Sequence, residues 1–323
     1  MTCRRWPLLS NWALLGALVA GPGCAATSGA QPFLGRWDAH LVSQGRSVPT
    51  WFEIREDAGR IRIRMVGRWG HARELSGVSL QDGQLRFTSP REEEGGQRSG
   101  MAFFLQREED ALTGVVEGPD AARWTIRATR APSLRRERAP QWGPAVELFS
   151  GEDLSRWEPL DPAAPGWRVV EGTLLSPGHG TELRTRAVFG DFQLHLEFFC
   201  NRGANSGVYL RGRYEVQIED DAEPEGPDRR TGAVYGFLAP GTPAGKIAGA
   251  WHALDVTLVG RTVTIALDGR TLVDRGEIPG ITGGALDSDE GAPGPVILQG
   301  SEAGHVHFRA LRIAAAAGEG EMP

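Results

Sequence analysis

The chain has 323 residues, with 35 Lys and Arg against 41 Asp and Glu and a net charge of -6. The two signs are well mixed, which excludes an extended nucleic-acid-binding surface. The length suffices for two domains, and 44 Gly and 21 Pro punctuate short alternating runs with almost no helical periodicity, which predicts an all-β protein.

Residues 1–30 read as a targeting segment. Arg4 and Arg5 form a positive start, and residues 12–20 an apolar core too short for a spanning helix. Cys24 follows in G-P-G-C, which resembles a bacterial lipoprotein cleavage box, although Gly stands where an aliphatic residue is usual. Two outcomes stay open: lipidation of Cys24 with anchoring to a membrane, or ordinary cleavage near Ala26 or Ala30. Either predicts an exported protein of the periplasm or cell envelope. No later apolar run approaches the roughly 20 residues that a spanning helix needs. Of the three cysteines, Cys3 would be removed and Cys24 acylated, leaving Cys200 as a buried free thiol at a strand end. That arithmetic excludes a disulfide framework and a cysteine zinc site.

Residues 31–130 predict a small β unit. G-R-W-D opens it, W-F-E-I-R alternates, and Ile61, Ile63 and Met65 alternate with Arg62 and Arg64. Further strands are expected at 84–88, 101–106, 112–117 and 123–128, with turns at Asp57-Ala58-Gly59 and Asp82-Gly83. Six to eight such strands make a small barrel or sandwich, and the Gly-Trp opening resembles lipocalin-like barrels. The acidic run Glu92 to Glu94 reads as an exposed loop. Residues 131–145, rich in Pro and charge, read as a linker.

A second β unit is expected over 146–315, with a frayed tail at 316–323. F-Q-L-H-L-E-F-F places Phe192, Leu194, Leu196 and Phe198 on one face, with His195 and Glu197 on a solvated one. Leu254, Val256 and Leu258 alternate up to Gly260, Val263, Ile265 and Leu267 alternate back, and Asp268-Gly269 turns the chain again. Strands of this length without intervening helices imply a two-sheet antiparallel sandwich of jelly-roll type.

The stretch 204–220, A-N-S-G-V-Y-L-R-G-R-Y-E-V-Q-I-E-D, carries the densest chemistry. Tyr214, Val216 and Ile218 face one way, and Glu215, Gln217 and Glu219 the other, with Asp220 at the strand end and Arg211 nearby. Such a row fits a polyhydroxylated ligand or a solvated outer face. No P-loop, nucleophile elbow or H-E-x-x-H is present. Asp287-Ser288-Asp289-Glu290 reads either as a calcium loop or as a solvated acidic loop. His305 and His307 share a face without a third metal ligand nearby in sequence.

From residue 146 to 313 the sequence resembles the 3-keto-disaccharide hydrolase domain family, which has a concanavalin A-like jelly roll. The segments carrying the resemblance are L-F-S-G-E-D-L-S-R-W, D-F-Q-L-H-L-E-F, A-N-S-G-V-Y-L-R, Y-E-V-Q-I-E-D, T-G-A-V-Y-G, K-I-A-G-A-W-H, I-L-Q and V-H-F-R, in order. The chain departs from the family in several places. Trp251-His252 replaces W-N, and Asp268-Gly269 replaces N-G. L-Q-G-S-E-A-G lacks the family's His at Ser301 or Glu302, and Ala310 replaces the Asn of F-R-N.

The resemblance implies cleavage of glycosides already oxidised to a ketone at sugar carbon 3. That ketone acidifies the hydrogen on carbon 2, so one base suffices: Glu215, supported by Asp220. Arg211, Lys246 or His252 is expected to donate to the developing enolate, and a divalent metal is the alternative; no cofactor is otherwise expected. Asn205, Gln217, Tyr235 and Gln299 are expected to contact hydroxyls, and Trp251 to stack on a sugar face. A non-catalytic carbohydrate-binding module and a cell-surface interaction protein are the two other readings.

Overall fold

The computed structural model describes residues 29–68, 70–89, 100–118, 122–178, 181–220, 226–301 and 304–317. Cys24, the acidic run at 92–94, Glu302 and most of the tail lie outside the described residues. The protein is all-β, a barrel-like unit followed by a jelly-roll sandwich. Nine strands build the first unit: β1 (Gly35–Ser43), β2 (Arg46–Asp57), β3 (Arg60–Val66), β4 (Arg73–Glu74), β5 (Ser76–Gln81), β6 (Gln84–Ser89), β7 (Met101–Glu108), β8 (Ala111–Glu117) and β9 (Arg123–Arg130). They form one antiparallel sheet in the order β4-β3-β2-β1-β9-β8-β7-β6-β5, nearly closed on itself. The alternating residues read from the sequence fill it: Ile54, Ile63, Phe87, Leu105 and Leu112 are buried, and the rings of Phe87 and Phe103 stack 4.6 Å apart. Trp37 plugs one end, its indole donating to Phe33 O at 2.8 Å.

The second unit opens with the short strands β10 (Val146–Phe149), β11 (Trp157–Pro159), β12 (Arg168–Val170), β13 (Thr173–Leu175) and β14 (Leu183–Thr185). The long strands follow: β15 (Phe192–Cys200), β16 (Asn205–Leu210), β17 (Tyr214–Glu219), β18 (Trp251–Val259), β19 (Thr262–Leu267) and β20 (Arg270–Glu277), then β21 (Ile297–Leu298) and β22 (Val306–Ala315). One sheet runs β12-β13-β22-β15-β18-β19-β20 with β10 on β22, and the other runs β11-β14-β21-β16-β17. Phe192, Leu194, Leu196 and Phe198 of the first sheet meet Val208, Leu210, Val216 and Ile218 of the second, all at most 2% exposed. Cys200 is buried at the end of β15. The predicted Asp268-Gly269 turn joins β19 and β20 with φ of 51° and 75°, a pair of left-handed conformations that matches the twist of a two-residue hairpin.

The segment between the units is strapped down along its length. Arg136 grips Asp191 with two bonds of 2.7 and 3.2 Å, and Arg261 donates to Pro132 O. The two units also pack directly. Trp51 of the barrel inserts among jelly-roll residues, edge-on to Phe237 at 5.5 Å. Gly280 permits this approach, since a Cβ there would lie 2.2 Å from the Trp51 indole nitrogen. Arg64 donates to Gly236 O at 2.8 Å, Gly284 N donates to Arg68 O at 2.7 Å, and Ser288 Oγ lies 2.8 Å from His40 Nε2.

The acidic loop at 287–290 differs from the solvated loop that its composition suggests. Ser288 and Glu290 are buried, and Glu290 accepts hydrogen bonds from Tyr214 OH (2.7 Å) and Arg261 (2.8 Å). Asp287 pairs with Arg213 at 2.6 Å. The carboxylates of Asp287 and Glu290 are used as internal clamps, Asp289 stays exposed, and Glu290 faces Asp38 of the barrel.

Candidate functional site

Strand pairing places the predicted residues on a grid. On the outer face of the five-stranded sheet, Tyr209 of β16 stands between Ile297 of β21 and Glu215 of β17. In the next row Gln299 N donates to Gly207 O, and Gly207 pairs with Gln217. The third row pairs Asn205 with Glu219. Residues 233–235 then run beside β17 like a sixth strand: Gln217 N donates to Ala233 O, Tyr235 N donates to Glu215 O, and Val216 bridges to Val234. This sets Tyr235 across from Glu215 and Ala233 across from Gln217.

Small residues, Gly207 and Ala233, form the floor of a covered trough along the middle row, which the Glu215 side chain partly fills. Glu215 leans across Gly207, where a Cβ would stand 2.5 Å from Glu215 Oε1. Tyr209 OH donates to Glu215 Oε2 at 3.1 Å and lies 3.0 Å from Gly283 O. Gln217 Oε1 is tied to Ile218 N at 3.2 Å, which turns its amide N–H groups towards Glu219. Gln299 Oε1 is buried without a hydrogen-bond partner among the described residues, so an unspent acceptor lies beside Gly207. Glu215 and Gln217 are only 4% and 3% exposed. The sequence pattern put this carboxylate row on the face opposite the core, and there it lies; what covers it is the 231–238 segment and the loop at 282–284.

The other expected site residues lie elsewhere. Arg211 turns inward onto the Tyr214 side of β17 and is 2% exposed. Its guanidinium donates to Gly260 O at 2.7 Å and to Tyr214 OH at 3.2 Å. Arg211→Ala is therefore expected to destabilise the fold by about 2–4 kcal/mol, by orphaning these buried acceptors, while activity per folded molecule is kept. Denaturant unfolding and specific activity measured on the same preparation check this. Asp220 follows the end of β17, about 16 Å from Glu215 by strand rise. Its carboxylate accepts Gly203 N–H at 2.9 Å, and with Asn201, Arg202 and the exposed Lys246 it lines a separate cleft of about 670 Å³ at the end of the sandwich.

Trp251 and His252 belong to the other sheet. Trp251 sits on its outer face under the Arg309 guanidinium, 3.9 Å from the ring centroid, and beside Phe199. Both ring nitrogens of His252 meet acceptors, Asp268 at 2.7 Å and Ile247 O at 3.1 Å. Burial works to raise the Asp268 carboxyl, but the hydrogen bonds from His252 and Ala253 N–H outweigh it and lower the pKa below its ordinary value. His307 lies 3.0 Å from Thr173 Oγ1, and burial, then the nearby His305, pushes its pKa down. Among the described residues no three His, Cys, Asp or Glu side chains gather as a metal site.

Two departures from the family pattern acquire physical readings. Ala310 has a φ of 52°, at the register shift where β22 bulges against β15. Asn tolerates that left-handed conformation better than Ala, so the exchange touches backbone strain at a bulge of the eight-stranded sheet. Ser301 is fully buried and bridges to Gly178 at the trough's Gln299 end.

Sequence reasoning did not single out Tyr209, and it reads Asn205-Ser206-Gly207 as a turn, whereas β16 runs straight through these residues. Asn205, Gly207 and Tyr209 share one face of β16 by period-two alternation, a signal present in the sequence.

Residues 144–314 match the family model of the 3-keto-alpha-glucoside-1,2-lyase-like domain. Comparison with curated proteins finds no match. Among solved structures, a candidate glycosyl hydrolase from Parabacteroides distasonis is 29% identical over 52% of this chain and 82% of its own, with a TM-score of 0.46. A second from the same organism is 20% identical over 53% and 93%, with a TM-score of 0.44. A carbohydrate-binding module from Bacillus subtilis is 15% identical over 48% and 93%, with a TM-score of 0.33. The family match spans more than half of the sequence in one continuous segment and contains the whole trough, and the chain belongs to the 3-keto-alpha-glucoside-1,2-lyase-like domain family.

Proposed function

We propose that the protein cleaves the glycosidic bond of 3-keto-glycosides after export from the cytoplasm, by elimination followed by hydration. The observation that carries this reading is the buried Glu215 carboxylate, which accepts from Tyr209 OH and leans over Gly207, while the other acid of the row, Glu219, stands four residues further along the strand. A paired-carboxylate glycosidase needs two acids at a set separation. An elimination needs one base and hydrogen-bond donors.

In this reading Glu215 takes the proton from carbon 2, and the electron pair of that C–H bond forms the C1–C2 double bond. The C1–O bond breaks, and the aglycone leaves with a proton as an alcohol. Water then adds across the double bond, so the net reaction is hydrolysis. The ketone oxygen carries developing negative charge as the proton leaves, and donors fixed in advance stabilise it. Tyr209 OH is the donor that touches the base, and the Gln217 amide N–H groups, turned towards Glu219, contact hydroxyls. Asn205, Gln299 and Tyr235 bind hydroxyls. Arg211 has no part in the chemistry.

The test is turnover of a chromogenic 3-keto-glucoside beside the unoxidised glucoside, with and without divalent metal and EDTA, on cytosolic and envelope fractions. Release from the keto substrate alone, in the envelope fraction, is the expected result. No release under any condition overturns the enzyme reading.

A further inference from the structure

The hollow end of the barrel is a second site. Trp37 and Phe33 close one end, but at the other the strands leave a cavity of about 390 Å³, within the range of small-molecule sites. Leu41, Met65 and Phe103 form its buried floor, at 6%, 7% and 1% exposure. Val48, Leu75, Met101 and Trp124 line the walls and stay half-buried, packed on the core from one side only. A ligand there would remove their remaining apolar surface from water.

The charged part of the lining has one sign, beside the neutral Thr50 and Ser89. Arg46, Arg68, His71 and Arg73 stand around this apolar chamber, and no Asp or Glu is among the described lining residues. A chamber with apolar walls and a cationic rim matches a molecule with an apolar body and an anionic head, since guanidinium groups pair with carboxylates in a fixed fork. A neutral or cationic amphiphile of the same length would gain the apolar contact but not the pairing. We infer that the barrel binds an amphipathic carboxylate in this cavity, apolar chain inward and carboxylate at the arginine rim. The site is separate from the trough and does not depend on the reaction proposed for it.

Calorimetric titration of the purified full-length protein with decanoate, decanol and decyltrimethylammonium tests this. Decanoate is expected to bind at one site, decanol about tenfold or more weaker, and the cation not at all. Arg46→Glu, at an exposed position, is expected to weaken decanoate about tenfold or more and leave decanol unchanged. Leu75→Trp fills the chamber and is expected to abolish binding of both; if that variant folds poorly, Arg46→Glu still decides. The inference is overturned if decanoate shows no saturable binding up to about millimolar concentration, if decanol binds equally well, or if neither substitution changes decanoate affinity.

Discussion

Glu215→Gln is expected to lower kcat on a 3-keto-glucoside by about 10²- to 10⁴-fold, the usual worth of a positioned general base, with KM little changed. The substitution is close to isosteric, and the geometry explains why it isolates the chemistry. Tyr209 OH still finds an acceptor in the Gln carbonyl oxygen, and the gap over Gly207 still holds a side chain of the same shape. What disappears is the ability to take a proton. An unchanged melting temperature with lost turnover would place the base at Glu215. Full activity would leave the family assignment standing and remove Glu215 from the mechanism. A rise in KM at constant kcat would make Glu215 a binding group only.

How far the sequence reaches into this site depends on the range of the contacts involved. Alternation over residues 214–219 is a local property, and it assigned Glu215 and Gln217 to the face away from the core. The same period lost Arg211, because the turn there breaks it: Arg211 and Gly212 take φ of 53° and 68°, and the arginine swings onto the Tyr214 side. Asp220 looked like a neighbour of Glu215 because five residues are few in sequence, yet in an extended strand they are a long distance.

Trp251 and His252 were misplaced for a topological reason. They lie on β18, which pairs with β15 in the opposite sheet from Glu215; Trp251 is on that sheet's outer face and His252 on its inner side beside Phe198, so neither shares a face with the carboxylate row. The acidic loop at 287–290 shows the limit of composition. Two of its carboxylates, Glu290 and Asp287, are matched by Tyr214, Arg213 and Arg261, which precede their partners by 76, 74 and 29 positions, and no local pattern reports such partners. The all-β class, the barrel and the jelly roll rest on period-two alternation and turn residues, so they were legible throughout.

Asp38→Asn is expected to flatten the pH dependence of stability, through the contact between the two units. Asp38 of β1 is 6% exposed, and its Oδ1 has no hydrogen-bond partner among the described residues unless a proton bridges it to Glu290. Burial first, then the Glu290 charge and the hydrogen bond to it, push its pKa from the ordinary 3.8 up to about 9, against the pull of Arg261. Glu290 is already committed as an acceptor to Tyr214 and Arg261, so the bridging proton sits on Asp38. Between pH 4 and 9 the folded protein therefore holds a proton that the unfolded chain has released. With more protons bound folded than unfolded, stability falls as pH rises through that window, by up to about 1.4 kcal/mol per unit. The contribution is fully present below pH 4 and gone above about 9. Asn carries its N–H donor at every pH, so the variant is expected to gain about 2–4 kcal/mol over the parent between pH 5 and 8. Parallel curves of unfolding free energy against pH for the two proteins would show that Asp38 ionises freely in the fold and that the proton-bridged contact with Glu290 does not form.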